Sequence, residues 1–130
     1  MLIEHEITFR VRYQETDAQG VVHHTNYITW FEMGRVELSR ANGTPYRQME
    51  EDGILTVIAN VECKYYLPAK FDDEIRLRTR IVTAQGARIC HEYQVFRGET
   101  LLAEGKTTVA CVDRSGRVRR LPEWLRMPGG

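Results

Sequence analysis

From Ile3 to Tyr13 the chain alternates: Ile3, His5, Ile7, Phe9, Val11 and Tyr13 share one face, and Glu4, Glu6, Thr8, Arg10 and Arg12 share the other. A period of two marks a half-buried strand and places Tyr13 on its apolar side, where the chain leaves the strand. The period then changes. Tyr27, Trp30, Phe31, Gly34, Leu38 and Ala41 recur at helical spacing, widened by Ile28, Met33 and Val36, while Glu32, Arg35, Ser39 and Arg40 fill the remaining face. The helix is predicted to begin at Thr25 or Asn26, either of which can cap it. It should stop at Asn42-Gly43 ahead of Pro45. Gly34 in mid-helix costs about 1 kcal/mol against alanine, which suggests that another backbone passes close by.

After a short helical turn and loop over 46–53 the alternation returns. Residues 54–67 set Val57, Ala59, Val61, Cys63, Tyr65 and Leu67 on one side, and Pro68 ends the run. Residues 74–82 place Ile75, Leu77, Thr79 and Ile81 inward against Arg76, Arg78 and Arg80 outward. Two further runs, 88–97 and 100–112, follow breaks at Ala84-Gln85-Gly86 and Gly98-Glu99, and a last helical turn is expected at Pro122–Leu125. Short connections imply antiparallel neighbours in hairpin succession. The prediction is one α+β domain of 130 residues, a five-stranded antiparallel sheet wrapped around one long central helix.

Composition narrows the function. Lys+Arg and Asp+Glu balance at 18 each, a formal net charge of +0, where a dedicated nucleic-acid binder carries a basic excess. Such a surface also opposes homo-oligomer formation little. Cys63, Cys90 and Cys111 are isolated in strand-like runs and read as small apolar fillers in a reducing compartment. No charged-then-apolar leader and no apolar run of roughly 18 residues is seen, so a soluble, cytoplasmic protein without membrane insertion is expected. His23, His24, His91 and the cysteines lack the spacings of metal sites, and no G-x-S-x-G, G-x-G-x-x-G or P-loop occurs. Neither a metal nor a cofactor is expected.

Between strand and helix, Tyr13 to Tyr27 reads YQETDAQGVVHHTNY. Asp17-Ala18-Gln19-Gly20 fits a type I turn, with Asp first and Gly fourth. The turn delivers Asp17, His23 and His24 to the amino end of the helix, where free N–H groups and about half a positive charge gather. Asp17 has two readings: a turn residue capping Gln19 or Gly20 through its side chain, or a carboxylate facing a reacting carbonyl.

A tyrosine four before the aspartate, D-x-x-G, Val-Val, then His and Asn-Tyr opening a helix resembles the 4-hydroxybenzoyl-CoA thioesterase family and its acyl-CoA thioesterase relatives, which have the hot-dog fold. The resemblance implies that Asp17 attacks a thioester carbonyl or directs water to it. It implies that the backbone N–H of His24 bonds the thioester oxygen, a donor worth about 3–4 kcal/mol in the transition state. The His24 imidazole then orients Asp17 or the thioester, and His23 is wall or surface. Tyr13 either bonds Asp17 from behind or packs under the helix. Gly20, Val22, Asn26 and Arg88 form the substrate-binding set, with Asn26 reading more readily as a helix cap than as a ligand and Arg88 reaching the phosphates of coenzyme A. The row Arg76, Arg78 and Arg80 reads as a solvated strand face.

The expected activity is hydrolysis of an acyl-CoA to free acid and CoA, the CoA being part of the substrate. The resemblance further implies a homodimer with sheets joined edge to edge and shared sites, two of which form a homotetramer. Two rivals stand beside it: an acyl-thioester hydratase or dehydratase with Glu32 or Glu37 as acid, and a non-catalytic acyl-CoA binding module.

Overall fold

A computed structural model describes residues 1–127. The elements are β1 (Glu4–Arg10), α1 (Thr25–Ala41), α2 (Tyr46–Glu51), β2 (Leu55–Tyr65), β3 (Glu74–Gln85), β4 (Arg88–Arg97) and β5 (Thr100–Val112), with single 3-10 turns at Tyr13–Glu15 and Glu123–Leu125. All strands pair antiparallel in one sheet of order β1-β3-β4-β5-β2. Among the described residues no helix is long and apolar enough to cross a membrane.

The hairpins β3–β4 and β4–β5 follow the expected succession, but β2 does not neighbour β3. It pairs instead with β5 at the far edge, from Leu55↔Val112 to Tyr65↔Ala103. The reason lies in residues 66–73, which cross the end of the sheet instead of turning tightly. Tyr66 and Leu67 donate to the Leu102 carbonyl (2.8 and 3.1 Å), and Val22 donates to the Ala69 carbonyl (2.8 Å). Asp72 takes a positive φ of 67° and returns the chain beside β1. This crossing segment becomes one wall of the loop before α1.

Helix α1 lies on the sheet with Tyr27, Trp30, Phe31 and Leu38 buried. Its first half packs on Ile75, Leu77, Val95 and Leu102. Its second half shares a core with Met49, Ile81, Val109 and Leu125. The helix ends as the sequence suggests, at Asn42 with Gly43 at φ 78°. The close approach foreseen at Gly34 is real, but the neighbour is a side chain: a Cβ there would collide with the Thr79 hydroxyl, not with a passing backbone.

Arg35 does not join the polar face. It is buried and donates through Nη1 to the Tyr93 hydroxyl (3.0 Å), which in turn shares a 2.5 Å hydrogen bond with Thr107. His91 is buried beside this group, its ring at 6.1 Å from that of Tyr93. Burial first, and then the Arg35 cation, push the His91 pKa down from 6.5 to about 3. The folded protein thus keeps the ring neutral, while the unfolded chain takes up a proton below about pH 6.5. Stability should be complete above that pH and fall as acid is added, by up to about 1.4 kcal/mol per pH unit down to about pH 3. Denaturant titrations of wild type and His91→Gln at several pH values test this. The variant should lose roughly one proton's worth of acid slope, and coincident slopes would mean the ring is not held neutral.

Candidate active site

Strand β1 ends at Arg10, not at Tyr13, because Glu15 turns the backbone. Its Oε1 accepts from the Arg12 N–H (2.7 Å) and closes the 3-10 turn over Tyr13–Glu15. The turn carries Tyr13 off the apolar face. Tyr13 is 76% exposed and meets Phe71 edge-on at 5.4 Å, so it does not pack under the helix. Among the described residues its phenol makes no hydrogen bond to Asp17.

Asp17 sits in a small hairpin. Thr16 bridges Val22, the Asp17 N–H donates to the Val21 carbonyl (2.8 Å), and the Gly20 N–H donates to the Asp17 carbonyl (3.0 Å), as a type I turn requires. Gly20 follows at φ 81°, a conformation that glycine takes without strain. The Asp17 carboxylate accepts from the Gln19 N–H (2.8 Å) and the Val21 N–H (3.4 Å), both at Oδ1. The capping role is therefore present, and it occupies one oxygen. The side chain is exposed in the single chain.

Two residues beyond the hairpin the helix begins. The N–H groups of Asn26 and Tyr27 are taken by the His23 and His24 carbonyls (3.0 and 3.3 Å), and that of Thr25 faces the His23 ring (3.3 Å). Among the described residues the His24 N–H has no acceptor, which leaves one donor at the positive end of α1. The His24 carbonyl accepts from the Tyr65 hydroxyl (3.1 Å), so the end of β2 holds this turn in place. Burial and then the neighbouring Cys63 thiol raise the Tyr65 pKa, so the phenol stays a donor. The His24 ring stacks on His23 at 4.4 Å and meets Tyr65 edge-on at 6.5 Å. Val22, His24, Tyr27, Tyr65, Tyr66, Leu67 and Pro68 line a cavity of about 260 Å³ beside the helix start. Asp17, Gly20, Val22 and His24 thus belong to one loop and its cavity.

Other expected members lie elsewhere. Asn26 does not cap the helix; its Nδ2 donates to the Glu15 carbonyl (2.9 Å). Arg88 opens β4, in the row Arg88↔Ala110↔Val57, whereas the helix start is level with Tyr65. Eight residues of strand separate those rows, roughly 26 Å, so one chain alone does not bring Arg88 to His24. In the arginine row Arg76 meets Glu6 at 2.9 Å, Arg78 meets Glu4 and Glu6 at 3.8 Å, and Arg80 is exposed. Glu32 is exposed and Glu37 pairs with Arg40, so neither acid converges on the loop.

Sequence reasoning missed Glu15. It is 3% exposed and joins the loop to the helix: Oε2 accepts from Trp30 Nε1 (2.8 Å), and its carbonyl accepts from the His23 N–H (2.8 Å). Burial works to raise its pKa, but the hydrogen bonds from Arg12 and Trp30 together outweigh it and leave the pKa lowered. The available signal was a carboxylate fifteen residues before a tryptophan on the helix's inward stripe.

One long helix on a five-stranded antiparallel sheet, with a polar aspartate loop at the helix start, defines the hot-dog thioesterase class. A family model described as the thioesterase-like superfamily matches residues 11–128. The acyl-CoA thioesterase YbgC of Haemophilus influenzae is 36% identical over 105 residues, covering 80% of this chain and 77% of that protein. The acyl-CoA thioester hydrolase YbgC of Escherichia coli O6:H1 is 32% identical over 105 residues, covering 80% and 78%. The crystal structure of the DHNA-CoA thioesterase from Staphylococcus aureus superposes with a TM-score of 0.88 at 27% identity, over 92% of this chain and 82% of that one. The chain belongs to the thioesterase-like superfamily and is a thioester hydrolase.

Proposed function

We propose that the protein hydrolyses acyl-CoA thioesters: the acyl carbon–sulfur bond breaks, water supplies the new oxygen, and free acid and CoA thiol leave. The reading rests on the unpaired His24 N–H at the start of α1, next to a loop whose aspartate uses only Oδ1 for its own turn. The N–H would receive the charge that builds on the thioester oxygen, and Asp17 would attack the carbonyl or deprotonate a water. The cavity beside His24 would take the acyl group next to the reacting carbon. Water and side chains suffice for this reaction. Incubating a panel of short, long and aromatic CoA esters with a thiol-reactive dye tests it. Release of thiol from at least one ester is expected, and none from any ester would overturn the reading.

The site as proposed is shared between two chains. Ile28, Val57, Ile58, Val61, Tyr65, Tyr66, Leu67 and Phe71 are all at least 36% exposed, along the open edge of β2 and around the helix start. An unpaired strand edge with this much apolar surface is a pairing template. Two β2 edges joined antiparallel would form a homodimer and set each helix start against the Arg88 end of the other sheet. That arrangement supplies the missing route from Arg88 to the CoA phosphates, and two such dimers would make the tetramer. Ile58→Glu, which places a charge on the joined edge, should convert the assembly to monomers in light scattering and reduce turnover with it. A variant that keeps the wild-type mass would remove β2 from the interface. The three free cysteines accord with a reducing, cytoplasmic setting.

A further inference from the structure

Asp17 has no bond of its own to the helix. The hydrogen bonds of its carboxylate and its N–H stay within residues 17–21. A catalytic carboxylate must nevertheless hold its distance from the oxyanion donor, because a displacement of about 1 Å can cost roughly 10²-fold in rate. Glu15, two residues upstream, makes the connections Asp17 lacks. One carboxylate oxygen fixes the entry to the loop through the Arg12 N–H (2.7 Å), and the other reaches Trp30 Nε1 (2.8 Å). Its carbonyl is held twice, by the His23 N–H (2.8 Å) and by Asn26 Nδ2 (2.9 Å).

The anchor at the other end is rigid. Trp30 has 0% exposure and is wedged between Tyr27 (ring centroids 4.8 Å) and Phe9 (5.2 Å). Few charged side chains are buried in this fold, and a carboxylate is costly to bury without donors. The Arg12 guanidinium, 62% exposed and 3.4 Å away, is a weak counterion. What holds Glu15 in place is mainly two fixed N–H donors from different elements. A glutamine or a leucine would cap or pack without joining both.

We infer that Glu15 is a positioning residue: its buried carboxylate latches the Asp17 loop to Trp30 and so sets where the Asp17 carboxylate stands relative to the His24 N–H. The choice of Asp17 as the group being positioned rests on the thioesterase reading above; the latch itself does not.

Three single variants, one double variant and two readouts test it. Glu15→Ala should lower kcat by about 10- to 100-fold with KM changed less than about twofold, because the loop is displaced while the walls that Tyr27, Tyr65, Leu67 and Pro68 give the acyl cavity are not. Glu15→Gln, which keeps one acceptor, should recover part of that loss. Trp30→Phe, which removes the N–H donor along with the five-membered part of the indole, should reproduce the kcat effect. Combining Trp30→Phe with Glu15→Gln should be no worse than the poorer single variant. Amide hydrogen exchange is the second readout: Asp17, Gly20 and His23 should exchange at least about tenfold faster in each variant, with β3 and β4 unchanged. Wild-type turnover in Glu15→Ala, or unchanged exchange at those amides, would overturn the inference. So would faster exchange spread equally over β3 and β4, since that marks a general loss of stability. If wild type releases thiol from no ester, the thioesterase reading falls, and the exchange data alone then decide whether the latch exists.

Discussion

Asp17→Asn is expected to lower the turnover of CoA esters by about 10³-fold or more and to leave the fold intact. The amide keeps an oxygen for the Gln19 N–H, so the bond at 2.8 Å that shapes the turn survives. The side chain is exposed, and substitutions at such positions usually change stability by less than about 0.5 kcal/mol. Chemistry is where the loss falls. An amide neither attacks a thioester carbonyl nor accepts a proton from water near neutral pH, so both routes open to the carboxylate close together. The remaining rate would come from the helix start and from binding. Steady-state kinetics beside thermal melts separate the two effects: kcat collapses while Tm stays put. Near-normal turnover would transfer the role to another group.

The largest expected effect on stability comes from Gly105→Ala. A Cβ at Gly105 would lie well inside van der Waals contact of the Phe31 ring and close to the Glu62 carbonyl. Phe31 has nowhere to move: it has 0% exposure and stacks on Tyr93 at 4.2 Å with an interplanar angle of 13°. Overpacking a tight core costs about 1–3 kcal/mol, and the rigid stack puts this case at the upper end. A loss of about 3 kcal/mol should lower Tm by about 10 °C in a domain of this size. Gly34→Ala is a useful contrast. The helix gains about 1 kcal/mol in propensity, which offsets part of the collision with the Thr79 hydroxyl and the Leu77 methyl, so the net loss should be smaller. A melt in which Gly34→Ala is the more damaged of the two would contradict this ranking.

These two sites differ in how far the sequence reveals them. The D-x-x-G turn and the helix after it depend on neighbours a few residues apart, and both stand where the pattern places them. Residues 88–97 and 100–112 likewise form strands with the expected bounds, since a tight turn at Gly86 precedes the first and one at Gly98 precedes the second. The position of β2 was not legible, because its partner is set by residues 66–73 crossing the sheet end and not by the length of the connection. Tyr13 fails for a related reason: alternation predicts its face only while the strand continues, and a hydrogen bond from Arg12 to Glu15 ends it early. Glu15 and Arg35 show the general difficulty. Arg35 is a charged residue that the helical period assigns to solvent, Glu15 is one that lies in the loop beyond any period, and they are buried by hydrogen-bond partners 58 and 15 positions away. Ile28 is the reverse case, an apolar residue counted into the helix stripe yet 40% exposed in the single chain, on the side where a second chain is proposed.

A crystal structure of the Asp17→Asn variant with an unreactive ketone analogue of an acyl-CoA, in which a methylene stands between the carbonyl and the sulfur, would test the site most directly. The analogue's carbonyl oxygen should lie about 3 Å from the His24 nitrogen, with the acyl carbon about 3.5 Å from the side chain at position 17. An analogue bound with its carbonyl turned away from the start of α1, or held out of reach of position 17, would contradict the assignment of this loop as the catalytic centre.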